Sequence, residues 1–165
     1  MTSQLLVWCQ WLEATGIGTA VRESSLLFPL VLGTHLLALG ISVGTTAIWD
    51  LRLLGVTLKQ EPVSEVMGQL LPWSMAGFAV MFISGALLFS SEATYVFDSP
   101  WFLLKIACLM LAGVNALVYH LTIERRIHEW DRQVRPPGAA RLAGAMSLTL
   151  WTVVIIAGRT TAYSL

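Results

Sequence analysis

The chain has 165 residues, of which 56% are hydrophobic and only 12% are charged, and its formal net charge is zero. Soluble domains carry roughly a quarter of charged residues, so the composition places this chain among membrane proteins. The balanced charge argues against nucleic-acid binding, because phosphate contacts need a concentrated basic surface.

The first predicted element is an amphipathic helix over about residues 3–14, which is too short to span a bilayer. Apolar and aromatic side chains, including Trp8 and Trp11, cluster at helical spacing, and Gln4, Gln10 and Glu13 fall elsewhere on the helical wheel. This pattern is typical of a helix that lies in the membrane interface. We expect the glycine pair Gly16 and Gly18 to end it.

Four apolar stretches follow, and each has the roughly 20 residues that an α-helix needs to cross a hydrocarbon core. The predicted spans cover about residues 25–49, 69–89, 101–123 and 140–161. Between the third and fourth, Pro136, Pro137 and Gly138 form the clearest helix breaker in the chain. The sequence therefore predicts an all-α fold, with residues 1–165 forming a single transmembrane domain, a compact antiparallel four-helix bundle in a lipid bilayer.

Basic residues predict the orientation of these spans. Seven of the ten fall on the first and third connections between spans: Arg52, Lys59, Arg125, Arg126, Arg132, Arg135 and Arg141. By the positive-inside rule these connections are cytoplasmic, so both termini are external.

Small residues predict where the spans pack, because helices in lipid associate closely only where their backbones can approach. Gly40 and Gly44 form a GxxxG pair on the first span. On the fourth, Ala139, Ala143 and Ser147 form a small-xxx-small series. We expect both sets to lie at contacts between helices.

Polar side chains within the spans are the candidate functional groups. At 100° per residue, Ser42 and Thr46 share a face with His35, and Asp50 lies about 60° away. Asn115 and Tyr119 lie on a polar face of the third span, with His120 beside it. At the cytoplasmic boundary we expect Asp50 and Arg52 to pair with charged residues that follow the third span, namely Glu124, Arg125 and Arg126.

An ionisable residue inside a span is a functional hypothesis by default, and His35 is the best candidate. Histidine is a common axial ligand of haem, and bundle cores accommodate cofactors, which suggests a b-type haem whose iron binds His35. At 1.5 Å per residue, His120 lies about 18 Å from His35 along the membrane normal, so the two histidines are too far apart to bind one iron. Met81 and Met110 lie near the depth of His35 and are candidate second ligands, and Arg159 is a further candidate contact.

Three interpretations of His35 stay open: a neutral histidine hydrogen-bonded to a neighbouring helix, a cofactor ligand, and part of a proton relay. The leading functional hypothesis is a cofactor-binding electron-transfer subunit, acting as a homo-oligomer or with a redox or other membrane partner subunit. The alternative is a cofactor-free membrane scaffold or a transport-associated subunit. No nucleophile and base, phosphate loop or paired carboxylates indicate an autonomous enzyme.

Short motifs along nearly the whole chain resemble those of a bacterial family of small four-helix membrane proteins classed as a domain of unknown function. The resemblance implies a bacterial inner-membrane protein and no particular activity. The segments that carry it are Trp11-Leu12-Glu13, Asp50-Leu51-Arg52-Leu53-Leu54-Gly55, Leu71-Pro72-Trp73, Asn115-Ala116-Leu117 with His120, and Gly158-Arg159 with Ala162-Tyr163.

Overall fold

The computed structural model describes the backbone of residues 2–163 and the side chains of residues 4–162. Two short helices, α1 (Thr2–Glu13) and α2 (Gly16–Glu23), precede the first long helix. The long helices are α3 (Leu27–Leu53), α4 (Val63–Ser91), α6 (Pro100–Val118) and α8 (Gly138–Tyr163). The short helices α5 (Ala93–Phe97) and α7 (Ile127–Trp130) lie in the connections.

The prediction of an all-α fold with four membrane-crossing helices is confirmed. All four long helices are long and apolar enough to cross a membrane, the third continuing from α6 through residue 130. Their most apolar windows are only 11–33% buried inside the protein, so most of their side chains face outward. Outward apolar surface on this scale is what contact with lipid requires.

The amino-terminal segment differs in detail from its prediction, because it forms two helices instead of one. The Thr15 hydroxyl accepts a hydrogen bond from the Gly18 amide at 3.2 Å, and this cap starts α2. Gly18 therefore lies inside a helix. A Cβ atom at this position would lie 2.7 Å from the Ser90 carbonyl oxygen, so only glycine lets α2 approach the end of α4.

At the opposite end of the bundle, the α3–α4 and α6–α8 connections lie against each other. We call this end, which carries most of the basic residues, the arginine-rich end. Asp131 caps α4 from the other connection, accepting from the Ser64 amide at 2.7 Å and from the Ser64 hydroxyl at 2.8 Å. The backbone carbonyl of Asp131 also accepts a hydrogen bond from the Val63 amide, at 2.9 Å.

The end of α3 explains why the chain can turn at the arginine-rich end. Gly55 has a positive φ of 71°. The Gly55 amide donates to the Arg52 carbonyl at 3.0 Å, and the Val56 amide donates to the Leu51 carbonyl at 3.0 Å. This is a Schellman motif, which needs a left-handed residue after the helix and so favours glycine. A Cβ on Gly55 would also lie 2.9 Å from the Val134 carbonyl oxygen, because the two connections touch here.

Helix packing follows different glycines from those that the sequence suggested. Gly40 and Gly44 are exposed, and a Cβ on either would meet nothing within 4 Å, so the prediction that this pair forms a helix contact is wrong. The close contact is made by Gly77 of α4, where a Cβ would lie 2.9 Å from the Cβ of Ser42. The GxxxG spacing pointed to the wrong side of α3 because spacing alone does not say which face meets a neighbour.

The small series on α8 is at a helix contact only in part. Ala143 and Ser147 are buried, whereas Ala139 is exposed. The closest approach is made by Gly144, where a Cβ would lie 3.0 Å from the Asp50 carbonyl oxygen. α8 therefore packs on α3 through a small-residue surface that is rotated from the predicted one.

The packing order of the spans leaves one side of the bundle open. Within the described chain, α3 packs on both α4 and α8, and α8 packs on α6, but α4 and α6 do not pack closely along their lengths. Near the end that carries the termini they meet through Phe89 and Phe102, whose rings stack at 5.4 Å. A cleft between α4 and α6 results, nearer to the arginine-rich end.

Candidate functional site

A cavity of about 370 Å³ fills this cleft, with walls contributed by α3, α4, α6 and α8. Its size is within the range of small-molecule binding sites. Met75 and Phe82 of α4 and Gly113 and Ala116 of α6 line it and are exposed. Since these residues belong to two membrane-crossing helices, the mouth of the cavity faces the lipid.

Two buried polar side chains at the inner wall of the cavity lack hydrogen-bond partners. Asp50 is 3% exposed and Tyr119 is 4% exposed, and both line the cavity. The Ser147 hydroxyl is close enough to the Asp50 carboxyl group to act on it as a hydrogen-bond donor. The second carboxyl oxygen, Oδ2, and the Tyr119 hydroxyl have no partner among the described residues. Buried polar atoms are almost always paired, so two orphans on one cavity wall need an explanation.

Asp50 also lacks a counter-charge, and the predicted pairing of Asp50 and Arg52 with charges after the third span is wrong. Arg52 is fully buried and turns away into the connections, where Nε and Nη2 donate to the Glu61 carbonyl at 3.1 and 2.8 Å. The charge of Asp131 acts on this guanidinium. Within the part of the chain that is described, Asp50 forms no ion pair.

The third span changes its winding at the cavity. After α6 ends at Val118, residues Tyr119–Ile123 form a π-helical turn, followed by a 3₁₀ turn over Glu124–Arg126. Asn115, one turn earlier, donates its side-chain amide to the Ala143 carbonyl at 3.0 Å and so joins this span to α8. π-Helical turns occur frequently at functional sites because they redirect side chains within a helix.

Aromatic rings form much of the cavity wall. Trp49 contacts Tyr119 edge to face at a centroid distance of 6.0 Å, and Phe78 stacks on Trp151 at 5.1 Å. Aromatic faces carry partial negative charge and attract cations. The site thus combines one carboxyl group, one phenol and aromatic faces.

His35 lies in another part of the bundle, nearer the termini. Its Nδ1 is 3.0 Å from the Met81 carbonyl oxygen and 3.0 Å from the Ser84 hydroxyl. Because the carbonyl oxygen only accepts, Nδ1 carries the proton, and in the neutral ring this leaves the lone pair on Nε2. Gly85 makes room for the ring, since a Cβ there would lie 3.1 Å from His35 Cε1.

The other predicted site residues do not converge on His35. His120 lines the cavity, as Asp50 does. Along α3, Asp50 lies about 22 Å from His35 at a rise of 1.5 Å per residue, so the cavity and His35 are separate places in the bundle. The Nδ1 atom of His120 contacts the Glu124 carboxylate. The Met81 side chain is buried beside Ser42, whose hydroxyl is 3.9 Å from its sulfur, whereas Met110 is 67% exposed.

Arg159 is exposed near the carboxyl end of α8. Lys105, which the sequence did not single out as a ligand, is close enough for its charge to act on His35 and lies 3.7 Å from where a Cβ of Gly158 would be. The described residues contain no cluster of three or more His, Cys, Asp or Glu side chains that could hold a metal ion.

Sequence reasoning recognised Asp50 and Tyr119 as members of polar faces but not as a site. The signal was present, because each lies on a polar face, towards the arginine-rich end of a helix that is otherwise apolar. What the sequence lacked was the rotation of each helix, which decides whether two polar faces meet.

The family described as a family of unknown function, DUF6644, matches residues 9–164. The chain belongs to this family. No curated protein and no solved structure matches it. Membership of DUF6644 agrees with the resemblance noted from the sequence, and since the family carries no assigned activity, function has to be argued from the cavity.

Proposed function

We propose that this DUF6644 protein is a membrane-embedded binding protein that takes a small amphipathic molecule from the lipid phase into the cavity between α4 and α6. One observation carries the proposal: the inner wall of a lipid-facing cavity holds the unpartnered oxygens of Asp50 and Tyr119. This function belongs to the transport-associated class and needs no cofactor.

The energetics favour a polar head group against that wall. A buried polar atom without a hydrogen bond costs about 1–3 kcal/mol, so a ligand that pairs with both oxygens recovers this cost on binding. The apolar body of the ligand would lie among Phe78, Phe82 and Met75 towards the mouth. Such a mixture of apolar walls and a few convergent polar groups is typical of small-molecule sites.

A cavity-filling variant tests the proposal. Gly113 lines the cavity and a Cβ there meets nothing within 4 Å, so Gly113→Leu should fold and fill the mouth. We expect it to weaken saturable binding of phenylhexanol to the protein in nanodiscs by about tenfold. The loss of burial of two methylene groups is enough to lower the affinity by this factor. Gly40→Leu, on an exposed face outside the cavity, should bind as the wild type does. Equal affinity of both variants would contradict the proposal and favour a scaffold role.

The proposed setting is a bacterial inner membrane with both termini outside. The orientation is supported by the seven basic residues at the arginine-rich end, and the bacterial setting rests on the family resemblance noted from the sequence. We expect a topology reporter fused after Leu165 to give an external signal. A reporter placed in the α6–α8 connection, after Arg135, should give the opposite signal. Internal activity of the first fusion would reverse the orientation.

A second candidate function, a haem b electron-transfer subunit with His35 as axial ligand, is favoured by the ring geometry. Metal-bound histidines commonly donate their second ring N–H to a carbonyl, which leaves the other nitrogen for the metal. The bond between His35 Nδ1 and the Met81 carbonyl has this form, and in the neutral ring it leaves Nε2 for the metal. Arg159 and Lys105 are candidates for contacts with haem propionates on that half of the bundle.

This candidate predicts a visible spectrum. The purified protein should show a Soret band that shifts on reduction, and His35→Ala should abolish it. His120→Ala, at a partly exposed residue paired with Glu124, is the matched control and should keep the bands. A colourless protein from haem-supplemented cells, or bands that survive in His35→Ala, would eliminate His35 as the ligand.

A further inference from the structure

We infer that the occupant of the cavity is a lipophilic organic cation, an ammonium group on an apolar body, with Asp50 as its counter-ion. The inference rests on the proposed function, because it names the chemical class of ligand for the same cavity. Three features of the cavity point to it independently: its charge, its unpartnered hydrogen-bonding atoms and its aromatic wall.

A cation would give the Asp50 carboxylate the counter-charge that it lacks. An ionised carboxylate in an apolar, membrane-embedded wall is costly unless it is paired. Asp50 has only the neutral Ser147 as a hydrogen-bond partner. Arg52 is not available to it, because its guanidinium donates to the Glu61 carbonyl in the α3–α4 connection. His120 also lines the cavity, but it is paired with Glu124. An anionic ligand would add a second negative charge, and a neutral one would supply no counter-charge, so that only a cation stabilises the ionised form of Asp50.

The unpartnered atoms suit an ammonium donor. Asp50 Oδ2 is an acceptor, and the Tyr119 hydroxyl oxygen can accept as well. The two groups are close enough for the charge of Asp50 to act on the Tyr119 phenol. A primary ammonium group carries three N–H donors, enough for both oxygens, and such charge-assisted bonds are the stronger kind.

The aromatic wall favours a cation and suits an apolar body. Trp49 and Tyr119 lie next to Asp50 at the inner wall, and Phe78 and Trp151 lie further along the cavity. Ring faces attract cations electrostatically, most strongly where water is excluded. A lipophilic amine concentrates in the bilayer with its tail among the acyl chains, and the mouth between α4 and α6 opens to that phase.

Three probes that differ only in their head group test the inference: phenylhexylamine, phenylhexanol and phenylhexanoate. Binding to the protein in nanodiscs is measured by the rise in thermal unfolding temperature and by quenching of tryptophan fluorescence, to which Trp49 and Trp151 contribute. We expect the amine to bind at least about tenfold more tightly than the alcohol, because one charge-assisted hydrogen bond raises the affinity by about this factor. The carboxylate should bind most weakly.

The nearly isosteric variant Asp50→Asn removes the charge and keeps a hydrogen-bonding group beside Ser147. We expect it to bind the amine and the alcohol equally and to be no less stable than the wild type, because the wild-type carboxyl has no counter-charge to lose. Tyr119→Phe should weaken amine binding by a smaller factor.

The outcomes separate the two proposals. If the alcohol or the carboxylate binds wild-type protein as tightly as the amine does, or if Asp50→Asn keeps the amine preference, the cation assignment is wrong while the cavity remains a binding site. If no probe binds, or if binding is the same in Gly113→Leu, the proposed function itself is wrong. The comparison of probes on wild-type protein decides the question even if Asp50→Asn does not fold.

Discussion

Gly77→Leu is expected to destabilise the protein by about 3 kcal/mol or more, because side chains forced into a packed contact displace their neighbours. A Cβ on Gly77 would lie 2.9 Å from both the Cβ and the backbone nitrogen of Ser42, and 3.1 Å from the Ala38 carbonyl oxygen. Two of these three atoms are backbone, so the contact cannot be relieved by a change of rotamer. The α3 and α4 helices would have to separate along the surface that joins them.

The matched control for Gly77→Leu is Gly40→Leu, on the exposed face of α3. Here the new side chain meets open space, and leucine has a higher helix propensity than glycine by about 0.8 kcal/mol. We therefore expect no loss of stability. Thermal unfolding in detergent, followed by circular dichroism, measures both. If Gly40→Leu destabilised the protein and Gly77→Leu did not, the GxxxG pair would be the packing surface and the packing of α3 described above would be incorrect.

Arg52→Met is expected to cost about 3 kcal/mol, the usual penalty for removing one partner of a buried, charge-assisted hydrogen-bond group. The guanidinium donates to the Glu61 carbonyl through two nitrogens and to the Gln133 carbonyl at 3.3 Å. It therefore joins the α3–α4 connection to the α6–α8 connection. Methionine keeps the apolar stem and removes all three bonds.

Two further variants make the Arg52 experiment specific. Arg126→Met removes an exposed arginine from the same end of the bundle and should change the unfolding temperature little. Arg52→Lys keeps the charge but lacks the planar fork, so its stability should be intermediate. Limited trypsin digestion should cut Arg52→Met faster at Arg132 and Arg135, because the α6–α8 connection would lose its attachment. Equal stability of Arg52→Met and Arg126→Met would show that Arg52 does not hold the connections together.

If these expectations hold, the two ends of the bundle have different roles. At the arginine-rich end, the Arg52 bonds and the Asp131 cap fix the connections rigidly. Between α4 and α6 the same bundle is left open, with a buried acid that has no counter-charge among the described residues. Residues that reduce stability without a structural benefit are commonly retained for function. This contrast is the reason for placing the site at Asp50 and not at Arg52.

The sequence by itself determined the number of spans, the all-α fold and the family. Each of these depends on local properties: a run of about 20 apolar residues forms a helix in lipid, because a helix satisfies all its backbone hydrogen bonds within the segment itself. The breaker at Pro136 and Pro137 likewise acts locally, and α8 begins directly after it at Gly138. The sequence also identified His35, Asp50 and Tyr119 as polar residues on apolar helices.

Only the tertiary structure decided which of these residues meet. Gly77 and not Gly40 contacts the neighbouring helix, and Arg52 turns into the connections while Asp50 stays in the cavity. Both results depend on the rotation of each helix about its axis. In lipid, the outward and inward faces of a span are almost equally apolar, so the hydrophobic pattern does not fix this rotation. It is fixed instead by close contacts between backbones, which form only once all four spans have packed.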